Sequence, residues 1–93
     1  MYDKDPVKIF VVEDDPAYTK FLKYVLELNP DFEVQFFTTG KDCINNLHKN
    51  PTVITLDYSL PDMPGEKVLG QIRSFDPNIN VIIVSAQEKI GTA

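Results

Sequence analysis

Ninety-three residues make one small domain at most, and 43% hydrophobic with 25% charged residues is a globular composition, which excludes a disordered chain. No apolar run approaches the ~18 residues of a membrane-spanning helix, so a membrane protein is excluded as well. Nine Lys and Arg against fourteen Asp and Glu give a net charge of -5 with no basic stripe, which argues against direct nucleic-acid binding.

The start, MYDKDP, is polar and acidic rather than basic then apolar, so no secretory signal is expected. A lone cysteine cannot form an internal disulfide, and a cytoplasmic location follows as the expectation. Residues 7–12, VKIFVV, are apolar apart from Lys8 and rich in β-branched side chains, which predicts a central parallel strand covered on both faces. Asp15-Pro16 predicts a helix start: the aspartate accepts from free N–H groups, and proline occupies the first helical position, where its missing donor costs nothing. Tyr18, Phe21, Leu22, Val25 and Leu26 fall at i, i+3, i+4, i+7 and i+8, one stripe expected to face the sheet, and Asn29-Pro30 ends the helix. Residues 32–37 predict a second strand. After the turn Thr38-Thr39-Gly40, a short helix with Cys43, Ile44 and Leu47 on one face is stopped by Asn50-Pro51.

Residues 52–57 predict a third strand ending on the carboxylate of Asp57. The loop from Tyr58 to Gly65 holds two prolines and a glycine and cannot be regular; a third helix follows with Val68, Leu69, Ile72 and Phe75 on one side. Beyond the turn Asp76-Pro77-Asn78, residues 81–84 predict a fourth strand ended by Ser85-Ala86, and residues 88–93 the first turn of a further helix. Strands alternating with helices define an α/β domain with a doubly wound parallel sheet and right-handed crossovers. Such a sheet brings the carboxyl ends of its strands to one edge, which gathers Glu13-Asp14-Asp15, Asp57 and Ser85 into one pocket. Crowded carboxylates repel unless a cation compensates, and Mg²⁺ suits one or two carboxylates with waters and phosphate oxygens. An aspartate held against such an ion is a nucleophile for a phosphoryl group, which makes Asp57 the candidate phosphoacceptor.

The segments VVEDDP, DYSLPDMPG and VIIVSA, in this order and spacing over nearly the whole chain, resemble the receiver domain of bacterial two-component response regulators. The resemblance implies a flavodoxin-like sheet of order 2-1-3-4-5. It implies that Asp57 accepts a phosphoryl group from a sensor histidine kinase, and that Glu13, Asp14, Asp57 and the Ser59 backbone carbonyl hold Mg²⁺. It further implies that Ser85 is the switch hydroxyl, with small Ala86 beside it, and that phosphorylation switches the conformation of a surface. The chain would be a phosphoacceptor assisting its own phosphorylation and dephosphorylation rather than an enzyme.

Receiver domains continue through a fourth helix, a fifth strand ending in a lysine, and a fifth helix. Lys89 follows Ser85 by four positions, too early for that lysine. The expectation is therefore a single receiver domain over 1–93, truncated after strand four, with an exposed strand-four edge available for self-association.

Plainer readings apply elsewhere. Asp57 alone would be a strand-end turn residue; its company with Glu13, Asp14, Leu60-Pro61 and Gly65 favours the phosphoacceptor. Asp15 is explained by capping, Asp62 by a solvated turn, and Ser85 alone by a helix cap. Cys43 reads as a small buried hydrophobe and His48 as a solvent-facing residue. No His/Cys cluster supports zinc and no Gly-rich loop supports ATP. Two other functions stay open: a phosphorylation-independent interaction module with the receiver fold, and a phosphoryl-transfer hydrolase. The hydrolase is disfavoured because the second position after Asp57 is Ser59 rather than another aspartate.

Overall fold

The computed structural model describes residues 5–84. Its strands are β1 (Val7–Val12), β2 (Phe32–Phe37), β3 (Val53–Asp57) and β4 (Asn80–Val84), all parallel in one sheet of order β2-β1-β3-β4. This is the flavodoxin-like order as far as β4. Helices α1 (Pro16–Leu26), α2 (Gly40–Asn45) and α3 (Gly65–Phe75) fill the crossovers. The order reverses between the first and second crossovers, so β1 and β3 lie side by side with Val12 opposite Leu56. Ser85, Ala86 and the expected further helix lie outside the described residues.

The core follows from the alternation of side chains along β1 and β3. Phe10, Val12, Ile54 and Leu56 are buried with Phe37, Cys43, Leu47, Val68, Ile72 and Ile79 in one cluster, between the sheet and the α2 and α3 side. Ile9 and Val11 occupy the alternate positions and are buried too. Near-complete burial on both faces explains why β1 is an almost unbroken apolar run.

Helix α1 departs from expectation. None of its residues is buried; Tyr18, Leu22 and Leu26 are half-buried, whereas Phe21 and Val25 are 57% and 39% exposed. The five-residue stripe spans more of the helix circumference than one sheet contact covers, so the i, i+4, i+8 line faces inward and the flank turns out. Phe75 is likewise exposed, because it lies on the last turn of α3, past the buried Val68 and Ile72. Leu47 does share the buried side with Cys43, but from a 3-10 turn at Leu47–Lys49 rather than from α2. Asn50 closes that turn at φ 59, a left-handed conformation that asparagine tolerates, while the following Pro51 disfavours a right-handed helical residue there.

Candidate functional site

Each acidic residue of the site is placed by the end of a strand. The Glu13 N–H donates to the Phe37 carbonyl (2.9 Å), continuing the β1–β2 pairing one residue past Val12 and fixing where the chain turns away. The Glu13 side chain, 3% exposed, folds back so that its Oε2 accepts the Asp15 N–H (3.1 Å), while Asp14 stays exposed. The Asp15 Oδ1 accepts the Ala17 N–H (3.0 Å) ahead of Pro16, the cap that its Asp-Pro context predicts.

Asp57 ends β3 beside β1 and is 3% exposed. Its Oδ1 accepts the Ser59 N–H (2.9 Å), while the Tyr58 N–H donates to the Val84 carbonyl (3.1 Å) and steers the chain off the sheet. Glu13, Asp14 and Asp57 thus each offer an oxygen, all within 4.8 Å of one another. Octahedral Mg²⁺ with ligands at about 2.1 Å sets opposite oxygens roughly 4.2 Å apart, so small side-chain rotations close the set around an ion. A purely carboxylate donor set also suits a hard cation rather than zinc. The site residues expected from the strand ends Val12 and Asp57 therefore do converge. Ser85 follows Val84, which is the partner of Asp57 across β3 and β4.

The loop after Asp57 is fastened along its length. Asp62, read from sequence as a solvated turn carboxylate, is exposed but not idle. Its Oδ1 accepts the Gly40 N–H (2.9 Å) and its Oδ2 the Lys41 N–H (3.0 Å), at the start of α2. The Gly40 bond, aided by that from Lys41, holds the Asp62 carboxyl below the usual carboxylate range. Its contribution to stability is accordingly full above that range and drains away as pH falls through the lowered value. Thr39 Oγ1 caps the same helix by accepting the Asp42 N–H (3.1 Å).

Two glycines let the loop sit this close. A Cβ on Gly40 would come within 2.6 Å of Val68 Cγ2 and 3.0 Å of Met63 Cγ. One on Gly65 would run into the Tyr58 ring and within 2.6 Å of the Tyr58 Cα, a backbone atom that cannot step aside. Sequence pattern carried no sign of Asp62, because its partners lie 22 and 21 positions away and outside any periodicity.

Away from the site, Cys43 is fully buried, and burial pushes its thiol up to about 12, as befits a core residue; His48 is exposed. Among the described residues no helix is long and apolar enough to cross a membrane.

Comparison with known proteins places this geometry. The family model described as "Response regulator receiver domain" matches residues 9–93. The transcriptional regulatory protein CssR of Bacillus subtilis (strain 168) is 32% identical over 80 residues, covering 86% of this chain and 35% of that protein. The chain spans about a third of the length of the curated transcriptional regulators it matches. Among solved structures, the BeF3-activated DrrB receiver domain is 31% identical with a TM-score of 0.77, covering 86% of this chain and 66% of that one. The Mn(2+)-bound form of response regulator Rcp1 is 26% identical with the same TM-score and the same coverage.

Proposed function

The chain belongs to the response regulator receiver family, and from that premise we propose that it is a signalling receiver whose Asp57 accepts a phosphoryl group from a sensor histidine kinase. The observation that carries the reading is the meeting of Glu13, Asp14 and Asp57 within 4.8 Å at the carboxyl edge of the sheet. In the transfer, an Asp57 carboxylate oxygen forms a bond to phosphorus as the bond from phosphorus to the donor's leaving group breaks. The donor leaves with that electron pair, and Asp57 becomes an acyl phosphate.

Mg²⁺, held by Glu13, Asp14, Asp57 and the Ser59 backbone carbonyl, would neutralise charge on the transferring oxygens. The Ser59 N–H orients the Asp57 carboxylate, and the buried Glu13 is held toward it by the Asp15 N–H. Ser85 is the switch hydroxyl and Ala86 the small neighbour that leaves access to Asp57; both follow directly on the strand paired with β3. The relatives DrrB and Rcp1 support the reading, since one is described in a BeF3-activated form and the other with Mn²⁺. The whole of 1–93 acts as one receiver unit in the cytoplasm, a phosphoacceptor rather than a turnover enzyme, and transcriptional output would belong to regions such as those that lengthen CssR.

Treatment with acetyl phosphate, with and without Mg²⁺, followed by intact-mass measurement in mild acid tests this. One phosphate per chain, dependent on magnesium, is the expected result. A folded chain that takes none would be a phosphorylation-independent interaction module instead.

The strand edge supports one more part of the reading. Among the described residues β4 pairs on one side only, and its Ile82 and Ile83 are 54% and 43% exposed. An apolar edge of this kind invites pairing with a second copy of the chain. Sedimentation equilibrium should show a concentration-dependent dimer; a monomer at every concentration rules it out.

A further inference from the structure

Asp62 has no part in the proposed chemistry, yet it makes the two side-chain hydrogen bonds that reach furthest along the chain among those of the site's loop. The loop that leaves Asp57 is tied at its near end by the Ser59 N–H on Asp57 Oδ1 and at its far end by the Asp62 carboxylate on the Gly40 and Lys41 N–H groups. Met63 closes down on Gly40, and Gly65 lies under Tyr58, so between the two ties the backbone has little freedom. We infer that Asp62 is a positioning residue: by fastening the loop to the first turn of α2, it holds the Ser59 N–H, and through it the Asp57 carboxylate, in the orientation that closes the cation set. The inference rests on the receiver reading.

The mechanism is one of pre-organisation. A carboxylate already held in place closes on an ion without first giving up its freedom, whereas a loosened loop must be ordered each time. The two bonds to Asp62 are charge-assisted, the stronger class of protein hydrogen bond. The tie also runs the other way, since binding that orders the loop must steady the first turn of α2 by the same free energy.

Mg²⁺ titrations followed by the amide resonances of the ¹⁵N-labelled chain test it on four proteins: the parent, Asp62→Ala, Asp62→Asn and Thr39→Ala. In Asp62→Ala the Mg²⁺ dissociation constant should rise by about five-fold, the scale of one lost capping interaction. Phosphorylation by acetyl phosphate should slow at sub-saturating Mg²⁺ and recover at saturation. Asp62→Asn keeps one acceptor oxygen but sets an NH2 against the second backbone N–H, so it should fall between the parent and Asp62→Ala. Thr39→Ala weakens the same helix without freeing the loop and should bind Mg²⁺ as the parent does.

The inference is overturned by a folded Asp62→Ala chain with unchanged affinity. It is equally overturned by Thr39→Ala losing as much as Asp62→Ala, which would make helix stability the cause. A parent chain that binds no Mg²⁺ would instead sink the receiver reading, and this inference with it.

Discussion

Asp57→Asn should abolish the magnesium-dependent phosphate adduct while leaving the fold intact. Asparagine has the shape of aspartate and keeps an acceptor oxygen for the Ser59 N–H, so the turn after β3 survives the change. What disappears is the anionic oxygen that attacks phosphorus, and an amide is no substitute for it as a nucleophile. One of the three carboxylates near the ion goes with it, so Mg²⁺ should bind more weakly in the variant as well. The check is intact mass beside a thermal melt: loss of the adduct in a chain that melts cooperatively places the chemistry at Asp57. An adduct that persists in Asp57→Asn would put it on another carboxylate, the exposed Asp14 being the more accessible of the two that share the site.

The largest effect on stability should come from Phe10→Ala. Phe10 is 2% exposed at the centre of β1, packed edge-on against Phe37 with ring centroids 4.8 Å apart, inside the cluster shared with Ile54 and Leu56. Removing a buried phenyl group costs about 3–5 kcal/mol, through lost transfer energy and the cavity left behind. The edge-to-face contact accounts for roughly 1 kcal/mol of such a loss. Whole domains are stable by only about 5–15 kcal/mol, and a domain this short belongs at the lower end. Urea unfolding followed by circular dichroism should therefore find Phe10→Ala near the edge of folding, with its Mg²⁺ response gone, because β1 carries Glu13 and Asp14. Phe10→Leu, which keeps most of the volume, should lose about 1.5 kcal/mol and keep the site. If Phe10→Ala lost less than about 1 kcal/mol, the packing described for this face of the sheet would be wrong.

What could be read from the sequence divides by the range of the interaction involved. β1 and β2 were legible to the residue from local pattern, β1 because a strand buried on both faces writes an almost unbroken apolar, β-branched run, and β2, at the sheet edge, from the partial alternation of FEVQFF. The Asp15 cap was legible for the same reason: cap, proline and helix are neighbours in the chain. The order of the strands was not a local property, and it came from the resemblance of VVEDDP and its companion segments. Burial on α1 misled because periodicity marks an apolar face without saying how much of it a neighbour covers, and Phe21 and Val25 fall on the uncovered flank. Asp62 escaped altogether. A carboxylate in a Pro-rich loop looks like any other until the fold brings the Gly40 and Lys41 amides to it. At the site itself, the convergence of Glu13, Asp14 and Asp57 was legible because strand ends in a parallel sheet share an edge.

The seclusion of Cys43 gives the molecule a clock of its own. Its thiol is the chain's sole sulfhydryl, lies at 0% exposure among Leu47, Val68 and Ile72, and is held almost wholly protonated by its surroundings. An alkylating reagent therefore marks a chain only in the moments when the core around Cys43 opens, and each mark is permanent. With reagent in excess enough to outpace reclosing, counting marked chains over time counts those openings, without a fluorophore or any change to the acidic edge.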